Sequence, residues 1–78
     1  MEEPLDIAAE IRAEAARQGI GTADLAEKTG LAYKTVSRKT NGRTGITVDE
    51  LFKFAAALDV PASTLIARAD EHAAPAAA

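Results

Sequence analysis

Apolar side chains recur along this chain every three or four residues, in short blocks separated by turn-forming residues. At roughly 100° per residue, Leu5, Ala8, Ile11 and Ala15 share one side of a helix over 5–17, and Asp6, Glu10 and Glu14 the other. Pro4 stands before it as a start signal, and Gln18-Gly19 ends it. A second helix fits 22–29, with Leu25 and Ala26 inward, Glu27 and Lys28 toward water, and Asp24 complementing the helix dipole. Gly30 stops it. A third spans 33–40 and ends at Asn41-Gly42, a strong turn pair. After the loop GRTGI, Thr47 and Glu50 form a capping box for a fourth helix over 48–58, which turns Val48, Leu51, Phe54, Ala55 and Leu58 inward. Asp59-Val60-Pro61 breaks it. A fifth over 62–72 carries Ala62, Leu65, Ile66 and Ala69 on one face. The pattern predicts an all-α, compact five-helix bundle.

Length sets the scale. The chain has 78 residues, enough for one domain, expected over 1–72, that buries roughly 60% of its unfolded surface. The Ala-rich tail AAPAAA, 73–78, has nothing to pack against and is expected to be disordered. Much of the apolar fraction is alanine, which favours helix and close helix–helix contact. There is no cysteine and one histidine, His72. Disulfides, thiol chemistry and cysteine metal sites are therefore excluded, and no metal or cofactor is expected. His72 reads as a surface residue near a helix end. No apolar run reaches the ~18 residues of a membrane span. The start MEEPLD does not read as a secretory signal, so a cytoplasmic, nucleoid-associated protein is expected.

Charge changes the picture more. The net charge is -3, yet it is segregated. Residues 1–27 carry seven acids and two bases, and residues 49–78 five acids and two bases. Between them, residues 28–48 hold five bases (Lys28, Lys34, Arg38, Lys39, Arg43) and no acid. A local positive field on an acidic body is compatible with nucleic-acid binding, because the local potential governs encounter more than the total does.

The second and third helices, joined by a short glycine-containing turn, have the form of a helix-turn-helix unit. Ala26 is small where the helices cross, Gly30 supplies a permissive backbone, and Leu31 and Val36 pin the third helix to the core. The stretch 19–66, with LAEKTGL, TVSR, the NG after it and LFKFAAALDV, resembles the Cro/C1-type (XRE-like) helix-turn-helix repressor family, with its lambda-repressor-like fold. The resemblance implies a sequence-specific DNA-binding transcriptional regulator, of phage-repressor or Cro-like type, acting as a homodimer on a palindromic operator.

By that resemblance the third helix is the recognition helix. On a helical wheel Tyr33, Lys34, Ser37 and Arg38 lie within about 140° of one another and face outward. They are the expected base-reading residues in the major groove. Arg38 and Lys34 could otherwise be plain solvated side chains, and Tyr33 could pack over the second helix. The family's glutamine that opens the second helix is replaced by Thr22, whose hydroxyl can do a weaker version of the same phosphate contact. Ala32 stands where the family often has a capping or contacting polar residue. Asn41, Arg43 and Thr44 are expected to meet the DNA backbone. Lys39 departs from the family, which places an aliphatic residue there. Its methylenes are expected to lie on the core with the ammonium in water near the backbone. On that basis Lys39→Leu should stabilise by on the order of 1 kcal/mol.

One recognition helix covers too few base pairs for a unique site, and two-fold pairing places two helices about 34 Å apart. The surface expected to pair is Phe52, Leu65, Ile66 and Ala69. Phe52 has a second reading, as cover for the core edge. Enzyme chemistry has no support: Ser37 and Ser63 lack a positioned histidine, Asp49 and Glu50 read as helix-dipole partners, and GRTG is no phosphate loop. No sensor domain is visible, so no small-molecule ligand is expected. Two alternatives stay open from sequence: the antitoxin of a toxin–antitoxin pair, and a protein-interaction module that kept the fold and lost DNA binding.

Overall fold

The computed structural model describes residues 5–72; Pro4 and the tail 73–78 lie outside the described residues. Five helices follow in order: α1 (Ile7–Gln18), α2 (Thr22–Thr29), α3 (Tyr33–Thr40), α4 (Val48–Leu58) and α5 (Ala62–His72). There is no strand among the described residues. The fold is an all-α five-helix bundle with a helix-turn-helix arrangement, as the periodicity predicts. The last four helices keep their predicted bounds. The first begins two residues late, because the Asp6 carboxylate accepts the Ala9 N–H at 3.0 Å and caps the helix. Leu5 therefore lies outside α1 and is 43% exposed, not part of the core.

Each helix end has a local cause. Gly30 ends α2 in the left-handed region (φ 76°), which only glycine reaches cheaply, and its N–H donates to the Ala26 carbonyl. The Thr29 hydroxyl donates to the Leu25 carbonyl at 2.6 Å and accepts the Leu31 N–H, fastening the turn into α3. Thr47 and Glu50 form the reciprocal capping box that opens α4. Asp59 closes α4 in the left-handed region (φ 55°), before Pro61 forbids continuation.

Phe54, Ile11, Leu58, Leu65 and Val36 are fully buried at the centre. Truncating a side chain such as Phe54 to alanine costs about 3–5 kcal/mol, a large share of what holds a domain this size. Helix α1 packs on α3, α4 and α5; α2 packs on α3 and α4; α4 packs on α5. Val36 thereby fixes α3 from beneath and leaves its opposite side to solvent.

The sequence reading needs three corrections here. Glu10 and Glu14 do not face water: they are only 5% and 8% exposed. The reason is α5, which crosses α1 and brings Arg68 and His72 onto them. Arg68 Nη1 lies 2.5 Å from Glu14 Oε1, and His72 Nδ1 lies 2.7 Å from Glu10 Oε2. Val48 does not turn inward but is 68% exposed, since it lies about 70° from the centre of the stripe formed by Leu51, Phe54, Ala55 and Leu58. Leu65 and Ala69, expected in a subunit interface, are buried within the monomer, since their spacing directs them at the core. Of that expected surface only Phe52 and Ile66 are exposed.

Candidate nucleic-acid interface

The outer face of α3 gathers the candidate reading residues. Tyr33, Lys34, Ser37 and Arg38 line one shallow depression together with Asn41 and Arg43. Helix α3 is eight residues long, about 12 Å, close to the width of a DNA major groove. Tyr33, at the start of this face, is 58% exposed. The Asn41 amide nitrogen lies 3.4 Å from Ser37 Oγ, one turn back on the same face.

Arg43 is brought to this face by how α3 ends. The Gly42 N–H donates to the Lys39 carbonyl and the Arg43 N–H to the Arg38 carbonyl at 3.0 Å. This is a Schellman closure with Gly42 at positive φ (73°). It folds the chain back so that Arg43 borders the face that Arg38 occupies.

Thr22 sits in an adjoining groove, with Arg12, Thr40 and Asn41 among its walls. Asn41 is common to the two depressions. Thr44 does not join them. It borders a separate hollow between the start of α1 and the α3–α4 loop, beside Gly45 and Ile46.

Electrostatics favour this side for a polyanion. The ion pairs among the described residues use Arg17, Lys39 and Arg68, and the His72 ring meets Glu10. Lys34, Arg38 and Arg43 take part in none of them and keep their charges available at the surface. Glu14, by contrast, is neutralised on the α1–α5 side. Hydrogen bonds from Gln18, Arg17 and Arg68 lower its pKa from 4.5 to about 2. Helix α5, which carries Asp70 and Glu71, makes no contact with α3.

Lys39 is a correction. Its ammonium does not end in water: Nζ donates to the Gly45 carbonyl at 2.6 Å and lies 3.0 Å from Glu50 Oε1. The ammonium is held by two partners at the α3–α4 junction. The expected gain from Lys39→Leu loses its basis, because leucine would remove the ammonium that the Gly45 carbonyl and the Glu50 carboxylate share. Glu50 itself is held below the usual carboxylate range, first by the Thr47 backbone N–H and then by Lys39.

Sequence reasoning missed Arg12. Its guanidinium donates to the Thr40 carbonyl at the last residue of α3, tying α1 to the end of that helix. The partners are 28 residues apart; the only local hint is a base about 200° from Glu10 and Glu14, on the side of the helix that carries Leu5 and Ala8.

With the geometry in place, the comparisons decide the family. The profile of the Cro/C1-type HTH DNA-binding domain matches residues 10–71. The chain belongs to that family. It is thus a DNA-binding helix-turn-helix transcriptional regulator of the general Cro/C1 type, and its fold is a binding fold, not a catalytic one. No cluster of metal-ligating side chains occurs among the described residues.

Two solved structures share the architecture of this Cro/C1-type domain. The clp gene regulator ClgR from C. glutamicum superposes with a TM-score of 0.82 at 22% identity, covering 88% of this chain and 94% of its own. The restriction-modification controller protein C.AhdI from Aeromonas hydrophila gives a TM-score of 0.73 at 23% identity, covering 78% of this chain and 92% of its own. At such identities the likeness is one of fold. Comparison with curated protein sequences gives no significant match. No helix among the described residues is long and apolar enough to cross a membrane.

Proposed function

We propose that this chain is a repressor of the phage or Cro-like kind that binds a palindromic operator as a homodimer, each copy laying α3 in the major groove. The observation that carries this reading is the single α3 face uniting Tyr33, Lys34, Ser37 and Arg38 with Asn41 and Arg43. Arg38 offers the planar fork that matches the O6 and N7 edge of guanine, and Lys34 and Ser37 offer further donors to base edges. Tyr33 supplies an apolar ring edge for a thymine methyl. Asn41 and Arg43, with Thr22 and Thr44 to the sides, are placed for phosphates and fix the register without reading sequence. ClgR and C.AhdI, a regulator and a controller by name, accord with a regulatory role in the DNA-containing cytoplasm.

For the homodimer, Phe52 at 61% and Ile66 at 41% exposure are the two side chains of the expected pairing surface that α4 and α5 leave to solvent. Their exposure on two helices that pack on each other is the support for pairing.

Selection from random and genomic duplexes tests the proposal. The expected result is enrichment of a short palindrome, with log affinity falling against log salt at a slope of roughly -4 to -7 for about 4 to 8 phosphate contacts. Recovery of no sequence, together with no salt-dependent binding at low ionic strength, overturns it.

A further inference from the structure

Lys39 and Glu50 are each about one-sixth exposed, at 16% and 17% of their side-chain surface. They face one another across the loop that joins α3 to α4. That loop is pinned at both ends. At its start, the Lys39 and Arg38 carbonyls accept the Gly42 and Arg43 N–H groups. At its end, Lys39 Nζ holds the Gly45 carbonyl at 2.6 Å. The same ammonium meets Glu50 Oε1, the oxygen that also accepts the Thr47 N–H at 2.9 Å. Arg43 and Thr44 form the short exposed span between the pins.

We propose that Lys39 is a positioning residue for DNA contact, which acts through Gly45 and Glu50 to hold the α3–α4 loop so that Arg43 stays beside the α3 reading face. This rests on the DNA-binding reading above. The alternative, an ammonium that itself touches a phosphate, is disfavoured by the geometry, since Nζ already has a carbonyl and a carboxylate as partners. The pairing has a second consequence. Glu50 sits at the end of the loop that carries Arg43, and without Lys39 its charge would repel the same phosphates that Arg43 attracts. One lysine thus fixes the loop and pairs with the acid at its far end.

Glu50→Gln separates the two roles. It removes a negative charge and releases the Lys39 ammonium, so direct contact, or charge alone, calls for tighter or unchanged binding. Positioning calls for weaker binding, by about 5-fold or more on a duplex selected by the wild-type chain. Lys39→Met should weaken it similarly, and Lys39→Arg, which can keep both partners, should stay within about 2-fold of wild type. In the free protein, backbone order parameters for residues 43–46 should fall toward about 0.6 in Glu50→Gln and Lys39→Met while those of α1 and α5 hold. Arg43→Ala should lose most of its effect on affinity in the Glu50→Gln background, the mark of coupled residues. Tighter binding by Glu50→Gln, an unchanged loop, or fully additive losses for Arg43→Ala each overturn the proposal. A wild-type chain that selects no duplex overturns the reading of the face, and the loop's role in binding with it; the order parameters then still report whether the clamp holds the loop.

Discussion

Arg68 on α5 and Glu14 on α1, 54 residues apart in sequence, meet with 2.5 Å between Nη1 and Oε1. Glu14 Oε1 also takes the Arg17 guanidinium at 2.8 Å, and Glu14 Oε2 takes the Gln18 amide at 2.8 Å. Gln18 in turn donates to the Leu58 carbonyl near the end of α4. One carboxylate thus gathers partners that tie α1 to α4 and α5. With His72 on Glu10 one turn earlier, it forms the polar seam on which the fifth helix lies.

That seam predicts an acid limb to stability. Glu14 titrates near 2 in the folded chain, below its ordinary 4.5. A carboxyl depressed on folding stabilises the folded state fully above its unfolded value and loses that contribution as pH falls through the folded one. Urea midpoints should therefore decline between about pH 4.5 and 2, and Glu14→Gln should flatten that decline while being less stable at pH 7. An identical pH profile for wild type and Glu14→Gln would remove Glu14 from this role.

Arg12→Met should cost about 1 kcal/mol of stability, because the Thr40 carbonyl loses its charged donor while the aliphatic stem is kept. Denaturant titration reads this directly. Part of the loss should also reach DNA affinity, since the bond holds the C-terminal end of the reading helix. No change in either quantity would contradict the tie.

Phe52→Ser should leave the monomer's thermal stability nearly unchanged, because the ring is 61% exposed and contributes little to the core. Sedimentation across micromolar concentrations should show the wild-type chain as a dimer and the variant shifted toward monomer. Equal mass for both proteins, together with one protein per DNA site, would sink the homodimer.

The helices were legible because their signals are local. The Thr47–Glu50 box and the Gly30 stop sit within four residues of what they control, and Leu51, Phe54 and Leu58 keep a helical period. The outward face of α3 followed from the same arithmetic once Val36 was placed inward. What could not be read is what arrives from far along the chain. Glu10 and Glu14 look like a solvated stripe until α5 delivers His72 and Arg68 to them. Lys39 looks like a lysine lying along the core until α4 presents Glu50. Leu65 and Ala69 look available for a partner because periodicity marks a buried face without saying whether it is buried within one chain or between two.

The central claim, that α3 reads DNA sequence through its outer face, is tested most directly by titrating wild type, Arg38→Ala and Arg43→Ala on one selected duplex and its scrambled counterpart. Arg38→Ala should cost about 1–3 kcal/mol on the selected duplex and much less on the scrambled one. Arg43→Ala should weaken both by similar factors, as a phosphate contact does. Equal losses on the two duplexes for Arg38→Ala would contradict the assignment of this face.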